Sequence, residues 1–392
     1  MDSAAKLEFL RNPATLDLLA ALGRDPREEL ALSGDARLKS LPAPRRIALL
    51  EQRKLRQKAR GKCPEAMDML FTPLGLEQLT HAALARHKAA RLPPGLASLA
   101  DICCGMGGDS MAVPPQVKVV GVDSSRAALL AYRHNVSLKR AATAVLGDAG
   151  RCPARAEAAY LDPARRPAGQ GDHWDEDNLS PGWGVMESLV SRFGNMAIKL
   201  GPGSTPATFL EEHEWEYLGL EDECLELTIW TGALGRPGLV KATELPEGAS
   251  VEAWRDDIAD SFGRVEAPGA WLFEPVKAVV RAHLFGVLAA RHGLWQIDPR
   301  IAYLSGNEPV KTPLLKAYKV IRELPFDLRA VRNFLRGEEV GRLEVKKRGV
   351  GIVPEEVRAG LKLAGPNEGT LIFTRVMERK AVFWARAETW KQ

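Results

Sequence analysis

Cysteine is scarce. The 392 residues hold five, with Cys103 and Cys104 adjacent and Cys63, Cys152 and Cys224 far apart. No CxxC occurs and the number is odd, so neither a disulfide framework nor a cysteine-based structural zinc site is expected. The seven histidines are scattered, and no Ser/His/Asp or Cys/His nucleophile arrangement can be read from them. The acidic run HWDEDN at 173–178 lacks the glycine and distal glutamate of a calcium loop, so no metal is expected. No apolar run approaches the ~20 residues that a bilayer crossing needs. The N-terminus has no signal-peptide core and carries acids early, at Asp2 and Glu8. No membrane association and a cytoplasmic address are therefore expected. Hydrophobic residues make up 45% and charged residues 27%, which excludes wholesale disorder. At ~150 residues per domain the length suggests two or three domains.

What is present is an uneven distribution of charge. The net charge is +4, but Lys311–Gln392 holds 18 Lys+Arg against 10 Asp+Glu, and the first 310 residues hold 36 against 40. From Ala36 to Lys62 there are ten basic residues and one acid, Glu51. A basic segment near the start and a basic C-terminal region point to a polyanionic partner.

The first ~90 residues read as helices. Leu7, Leu10, Leu16, Leu18, Leu19 and Leu22 recur at roughly helical spacing, and RRIALLEQRKLRQKARGK forms a basic helix after Pro42 and Pro44. Thr72-Pro73 is an N-cap followed by proline at the first helical position, which predicts a helix through LEQLTHAALARHKAARL. Then the pattern changes. LASLADICC, VKVVGV, ATAVLG, AEAAYL and NMAIKL are short apolar runs separated by helix-length segments, the signature of βαβ units and a parallel sheet. ECLELTIW and GLVKATEL, joined by TGALGRP, read as an antiparallel edge pair. The C-terminal third reads as α+β, with a helix from Val276 to His292 and strands near GRLEVKKRG, TLIFTRV and AVFWARA. The expected division is a helical region over 1–90, an α/β domain over 91–265 and an α+β domain over 266–392.

Four acids stand at the ends of four successive predicted strands: Asp101, Asp123, Asp148 and Asp162. In an open parallel sheet, ligands bind at the carboxyl ends of the strands near a topological switch point. The first turn, DICCGMGGDS, carries Gly105, Gly107 and Gly108, and glycines let a backbone approach a ligand closely. A dinucleotide fingerprint fails, because Ser110 stands where its last glycine or alanine would be. A P-loop fails too, because no Gly-Lys-Ser/Thr follows. An acid 22 residues beyond the first suits both hydroxyls of a ribose. Adenosine bound without a pyrophosphate is the natural reading.

This series resembles a class I S-adenosylmethionine-dependent methyltransferase. The turn is similar to that of trimethylguanosine synthase, and the whole chain is similar to bacterial methyltransferases with a THUMP-like C-terminal domain. The motif resemblance covers roughly residues 71–243, and the C-terminal resemblance, through VGRLEVKKRG, is weaker. It implies a Rossmann-like α/β sheet with an N-terminal helical region and a C-terminal α+β THUMP-like domain. It implies S-adenosyl-L-methionine as cofactor, with the turn from Cys103 through Gly105, Gly107 and Gly108 along the methionyl part. Asp123 and Ser124 would take the ribose, Asp148 and Ala149 the adenine edge, and Phe71 and Thr72 would form the preceding cofactor-binding motif. Asp101 would order the turn and the cofactor ammonium.

After the fourth strand comes Asp162-Pro163-Ala164-Arg165-Arg166. Methyltransferases acting on amines often carry Asp/Asn/Ser-Pro-Pro-aromatic here, so Asp162 and Pro163 match and the stacking ring is missing. Arg165 is placed to stack on a base or bind a phosphate, and Trp174 and Trp183 are other sources of a ring. Arg165 and Arg166 pairing with Asp172, Asp175, Glu176 or Asp177 is the structural alternative. Lys199, after the fifth strand, either faces the acceptor pocket or lies in solvent. The function implied is methyl transfer to a base nitrogen in RNA, with RNA held by segment 36–62 and the C-terminal domain. The alternatives are a methyltransferase for a small molecule or protein, and a non-catalytic RNA-binding protein on this scaffold. Oligomeric state is not legible.

Overall fold

The first strands of the chain are short, mostly apolar runs. Ser98–Ile102 (β1), Lys118–Asp123 (β2), Thr143–Leu146 (β3) and Ala158–Leu161 (β4) correspond to four of the apolar runs. In the computed structural model, residues 1–25, 35–165, 179–261 and 263–388 are described, without the side chain of Arg165. The chain forms two compact units. One is Met1–Glu214 with Leu227–Pro237; the other is Trp215–Glu226 with Gly238–Gln392.

In the first unit, a two-residue pair, Ala164–Arg165 (β5) and Leu179–Ser180 (β6), follows β4, and Met196–Leu200 (β7) completes the central series. β3, β2, β1, β4 and β7 lie side by side in that order, all parallel. Strand order reverses between β1 and β4, which makes their carboxyl ends the switch point. Every residue of β4 is buried, as are four of five in β1 and in β7, the mark of a parallel sheet covered on both sides. The helix Arg126–Ser137 is capped by Ser125, whose Oγ accepts from Ala128 N, and it buries Leu129, Tyr132 and Val136.

The N-terminal helices are not separate from this sheet. Leu7, Leu19, Leu22, Leu49 and Phe71 share one core with Met106 of the first turn and Ala131 of the helix behind it. Asn135, wholly buried, accepts from Leu70 N and donates to Leu70 O and Met106 O, at 2.7, 3.0 and 3.1 Å. The expected break at residue 90 therefore falls inside one unit. Arg91 joins the ends of that unit. It pairs with Glu214 at 2.7 Å, donates to Leu234 O at 3.0 Å and covers the ring of Trp230. The helix expected through residues 73–90 is two helices, Pro73–Gln78 and Ala82–Ala90, because Leu79 leaves helical geometry and His81 caps the second.

The edge pair is also different. Glu214–Leu220 (β8) precedes Glu223–Trp230 (β9), and Glu221 and Asp222, both at positive φ, turn one into the other. The end of β9 runs antiparallel to β7. Leu239–Leu245 (β10) pairs in parallel with β8 and antiparallel with Ala249–Trp254 (β11), not with β9. These pairings tie β8, β10 and β11 to the second unit, so the expected boundary at 265 does not divide the chain.

The rest of the second unit is a seven-stranded sheet. Its strands are Trp271–Pro275 (β12), Trp295–Gln296 (β13), Leu304–Gly306 (β14), Leu315–Leu324 (β15), Val340–Lys347 (β16), Asn367–Val376 (β17) and Arg379–Glu388 (β18). They lie in the order β13, β14, β12, β15, β18, β17, β16. Leu371, Phe373, Val382 and Trp384 pack with Val331 and Leu335 of Leu328–Gly337 and with Val357 and Leu361 of Pro354–Leu361. The helix expected from Val276 to His292 is two, Lys277–Arg281 and Phe285–His292, with His283 between them at φ +57°.

Candidate functional site

The turn after β1 reverses the chain through three left-handed residues, Cys103, Gly105 and Gly107, at φ +57°, +51° and +86°. The two glycines serve different ends. A Cβ on Gly107 would lie 2.5 Å from Val136 Cγ2, whereas one on Gly105 would meet nothing within 4 Å. Gly107 lets the turn pack on the helix; Gly105 leaves its backbone open. Gly108 resembles Gly107, since a Cβ there would lie 2.8 Å from Leu79.

Asp123, at the end of β2, holds the open part of the turn. Its Oδ2 accepts from Gly105 N at 2.9 Å and its Oδ1 from Ser125 N at 2.8 Å. A carboxylate has about four lone-pair sites, so acceptor capacity is left on both oxygens. Asp101 is buried and accepts from Ser110 Oγ at 2.5 Å; that hydroxyl lies 3.0 Å from Tyr132 OH. Asp101 is thereby tied to the turn through Ser110. Burial, then the neighbouring Asp109, pushes its carboxyl up to about 7.

Asp162 follows β4 and Lys199 stands on β7 beside it. Lys199 Nζ donates to Asp162 Oδ2 at 2.8 Å and to Thr80 Oγ1 at 3.2 Å. Thr80 Oγ1 donates to Asp109 Oδ2 at 2.9 Å, and Asp109 pairs with Lys88 at 2.9 Å. The Lys88 and Asp109 side chains are 4% and 10% exposed. Asp101, Asp109, Asp162, Lys88 and Lys199 surround a cavity of about 10 Å³, room for one water. Burial raises the Asp162 carboxyl above its ordinary range, and Lys199 pulls it back down.

Two of the four strand-end acids therefore face one cavity, and Asp123 holds the glycine turn. Asp148 is exposed and caps the short turn Ala149–Arg151 by accepting from Gly150 N; Ala149 is buried and Ser124 exposed. Phe71 is 2% exposed, a core residue between the N-terminal helices and the turn. Thr72 caps the helix Pro73–Gln78. Pro163 is buried. The Cys103 and Cys104 thiols are raised by burial and nearby carboxylates, so neither is an activated nucleophile. Trp183 opens the helix Trp183–Phe193 with its ring edge-on to Phe209. Arg166, Trp174 and the run at 173–178 lie outside the described residues, as does the side chain of Arg165.

Sequence reasoning missed Thr80, Lys88 and Asp109. A signal for Lys88 existed: it follows Leu84 by four and Ala85 by three, so it shares their buried helix face.

The basic regions are more occupied than their charge suggests. Arg53 and Arg56 are buried; Arg53 donates to Leu22 O and Asp25 O, and Arg56 to Met69 O and Asp68 O. Lys62 donates to Leu76 O. In β16, Lys346 pairs with Glu274 at 3.0 Å and Arg348, just beyond it, at 3.6 Å. Lys347 Nζ donates to Ile352 O. Lys54, Lys58 and Arg60 remain exposed. Among the described residues no helix is long and apolar enough to cross a membrane, and no three His, Cys, Asp or Glu gather as a metal site.

The residues present fit an adenosine-bearing sulfonium. Gly105 offers open backbone, Asp123 keeps acceptor capacity for a ribose, and no phosphate cradle intervenes. A doubly wound sheet with this turn and this acid defines a class I, Rossmann-like methyltransferase. Over 342 residues the chain is 33% identical to an S-adenosylmethionine-dependent methyltransferase of Mycobacterium tuberculosis strain CDC 1551, covering 84% of this chain and 92% of that one. The protein of strain H37Rv matches equally. The chain belongs to this family of S-adenosylmethionine-dependent methyltransferases, and S-adenosylmethionine is its cofactor. Residues 315–387 match the THUMP domain-like family. The fold is shared with a Porphyromonas gingivalis W83 protein described as a methyltransferase, with a TM-score of 0.79 at 17% identity over 96% of this chain and 99% of that one.

Asp123→Ala should weaken S-adenosylmethionine binding roughly tenfold to a hundredfold, the loss of one or two hydrogen bonds to a charged group. Calorimetry checks it. Equal affinity would show that Asp123 serves only Gly105 and Ser125.

Proposed function

We propose that the enzyme methylates a nitrogen on an RNA base, held beside Asp162. The observation that carries the acceptor site is the Asp162 carboxylate at the switch point, fixed through Oδ2 by Lys199. Among the described residues its Oδ1 has no hydrogen-bond partner. The cofactor supplies an electrophilic methyl group on a sulfonium. Displacement at such a carbon needs alignment and desolvation more than a strong base. Asp162 Oδ1 accepts from the acceptor amine, orients its lone pair and opposes the positive charge that grows on nitrogen. The buried Pro163 keeps the backbone beside it rigid.

RNA as the substrate is supported by the THUMP-like match and by the exposed cations Lys54, Lys58 and Arg60 near the start. The expected result is a methylated nucleoside present in RNA from cells carrying the gene and absent when it is deleted, read by mass spectrometry. Unchanged RNA would sink this reading of the acceptor. Binding gives a separate check. Replacing Lys54, Lys58 and Arg60 by Ala should lower the slope of log affinity against log salt by about 2, at about 0.7 per phosphate contact. Lys346→Ala with Arg348→Ala should instead lower stability, because it removes both cations paired with Glu274. An unchanged slope in the first variant would remove this helix from the RNA contact.

A further inference from the structure

The sheet itself sets Lys199 against Asp162. β4 and β7 are parallel neighbours, with Leu161 abreast of Ile198. The next residue of each, Asp162 and Lys199, therefore stand side by side at the carboxyl edge. A lysine ammonium is ordinarily a mobile point charge on a four-carbon stem. Here it is fixed from two directions, by Asp162 Oδ2 and by Thr80 Oγ1. Thr80 is itself anchored on Asp109, which the buried Lys88 holds. The chain of contacts runs from the buried Lys88–Asp109 pair through Thr80 and Lys199 to Asp162.

We infer that Lys199 is a positioning residue for methyl transfer: by holding Oδ2 of Asp162 it reserves Oδ1 for the acceptor amine. This rests on the reading of Asp162 as the acceptor-side carboxylate. An unheld carboxylate rotates about its terminal torsion, which is broad, and would present either oxygen at varying angles. The charge of Lys199 has a second effect. Asp162 faces Lys199 from β7, Asp101 from β1, Asp109 from the turn beyond it and Lys88 from the helix Ala82–Ala90. Burial and Asp109 favour its protonated form, and Lys199 is the largest influence against it. Removing Lys199 leaves the carboxyl protonated to higher pH, and a protonated carboxyl opposes no charge on nitrogen.

The variants are Lys199→Met and Lys199→Arg. Asp162 is followed by carbon NMR of aspartate-labelled protein without substrate, its signal identified by its absence in Asp162→Asn. In Lys199→Met the midpoint should rise by at least about one pH unit; in Lys199→Arg it should stay near that of the parent. In methyl transfer to RNA from cells lacking the gene, Lys199→Met should lose about tenfold or more in kcat. KM for RNA and cofactor affinity should be unchanged, the acid limb of the pH profile should move upward, and Lys199→Arg should recover most of the rate. An unmoved Asp162 midpoint, or full kcat in a folded Lys199→Met, overturns the inference. If the parent transfers nothing to RNA, the choice of acceptor fails, while the carboxyl titration still decides whether Lys199 governs Asp162.

Discussion

Asp162→Ala should lose on the order of a hundredfold or more in single-turnover methyl transfer, comparable with removing one preorganised electrostatic group. Cofactor affinity should change little, because the Asp123 and Gly105 contacts are separate from it. Asp162→Asn keeps an acceptor oxygen and similar volume but loses the charge, so its rate should fall between. The loss belongs in turnover rather than binding if the carboxylate acts on charge that exists only in the transition state. One complication follows from the geometry. Alanine also frees Lys199 from its 2.8 Å contact, leaving a cation where a cation is forming. The drop in Asp162→Ala should therefore exceed that in Asp162→Ala combined with Lys199→Met. A folded Asp162→Ala of full activity would move the acceptor site elsewhere, first to the neighbourhood of Trp183.

Asp109→Ala should destabilise the first unit by about 3–5 kcal/mol, the usual consequence of removing one partner of a buried ion pair. The magnitude follows from burial: Lys88 is 4% exposed, so the charge left behind is largely cut off from bulk solvent when its carboxylate is gone. Lys88 and Lys199 together hold the Asp109 carboxyl below its ordinary range despite burial. Asp109→Ala with Lys88→Met removes both charges and should recover much of the loss. Denaturant unfolding of the singles and the double checks this. A single variant within about 1 kcal/mol of the parent would show that Lys88 finds another acceptor.

The central strands could be read because each is a short run with few charges between glycine or charged boundaries, and parallel strands buried on both faces leave that trace. β8 left none. HEWEYLGL is half polar, yet Glu214 and Glu216 are fully buried, paired with Arg91 and with Thr243 and Lys241. A carboxylate satisfied by partners distant in sequence looks like a loop residue until those partners are in place. The same blindness hid Asp109, whose partners Thr80 and Lys88 precede it by a turn, a strand and part of a helix. Basic residues misled in the opposite direction. Arg53 and Arg56 lie in the buried stripe of their helix with Leu49 and Gln52, and they close the carbonyl ends of neighbouring segments rather than face a partner. The glycine turn was legible as a motif. Which glycine stays open and which is walled in depended on Tyr132 and Val136, more than 20 residues away.

The order in which the units are written along the chain bears on how the protein is made. Domains generally fold as they leave the ribosome, N-terminal parts first, at about 5–20 residues per second. Here the first unit cannot close when its 214th residue emerges. Arg91 awaits Trp230 and Leu234, and β7 awaits the end of β9. Those pieces arrive only after Trp215–Glu226, which belongs to the other unit, has been synthesised. A nascent chain halted near residue 214 should thus keep an unpaired β7 edge. A fragment cut at residue 265 would carry β8, β10 and β11 without the seven-stranded sheet that completes their unit. The chain is one translation product in a stricter sense than two domains joined by a tether.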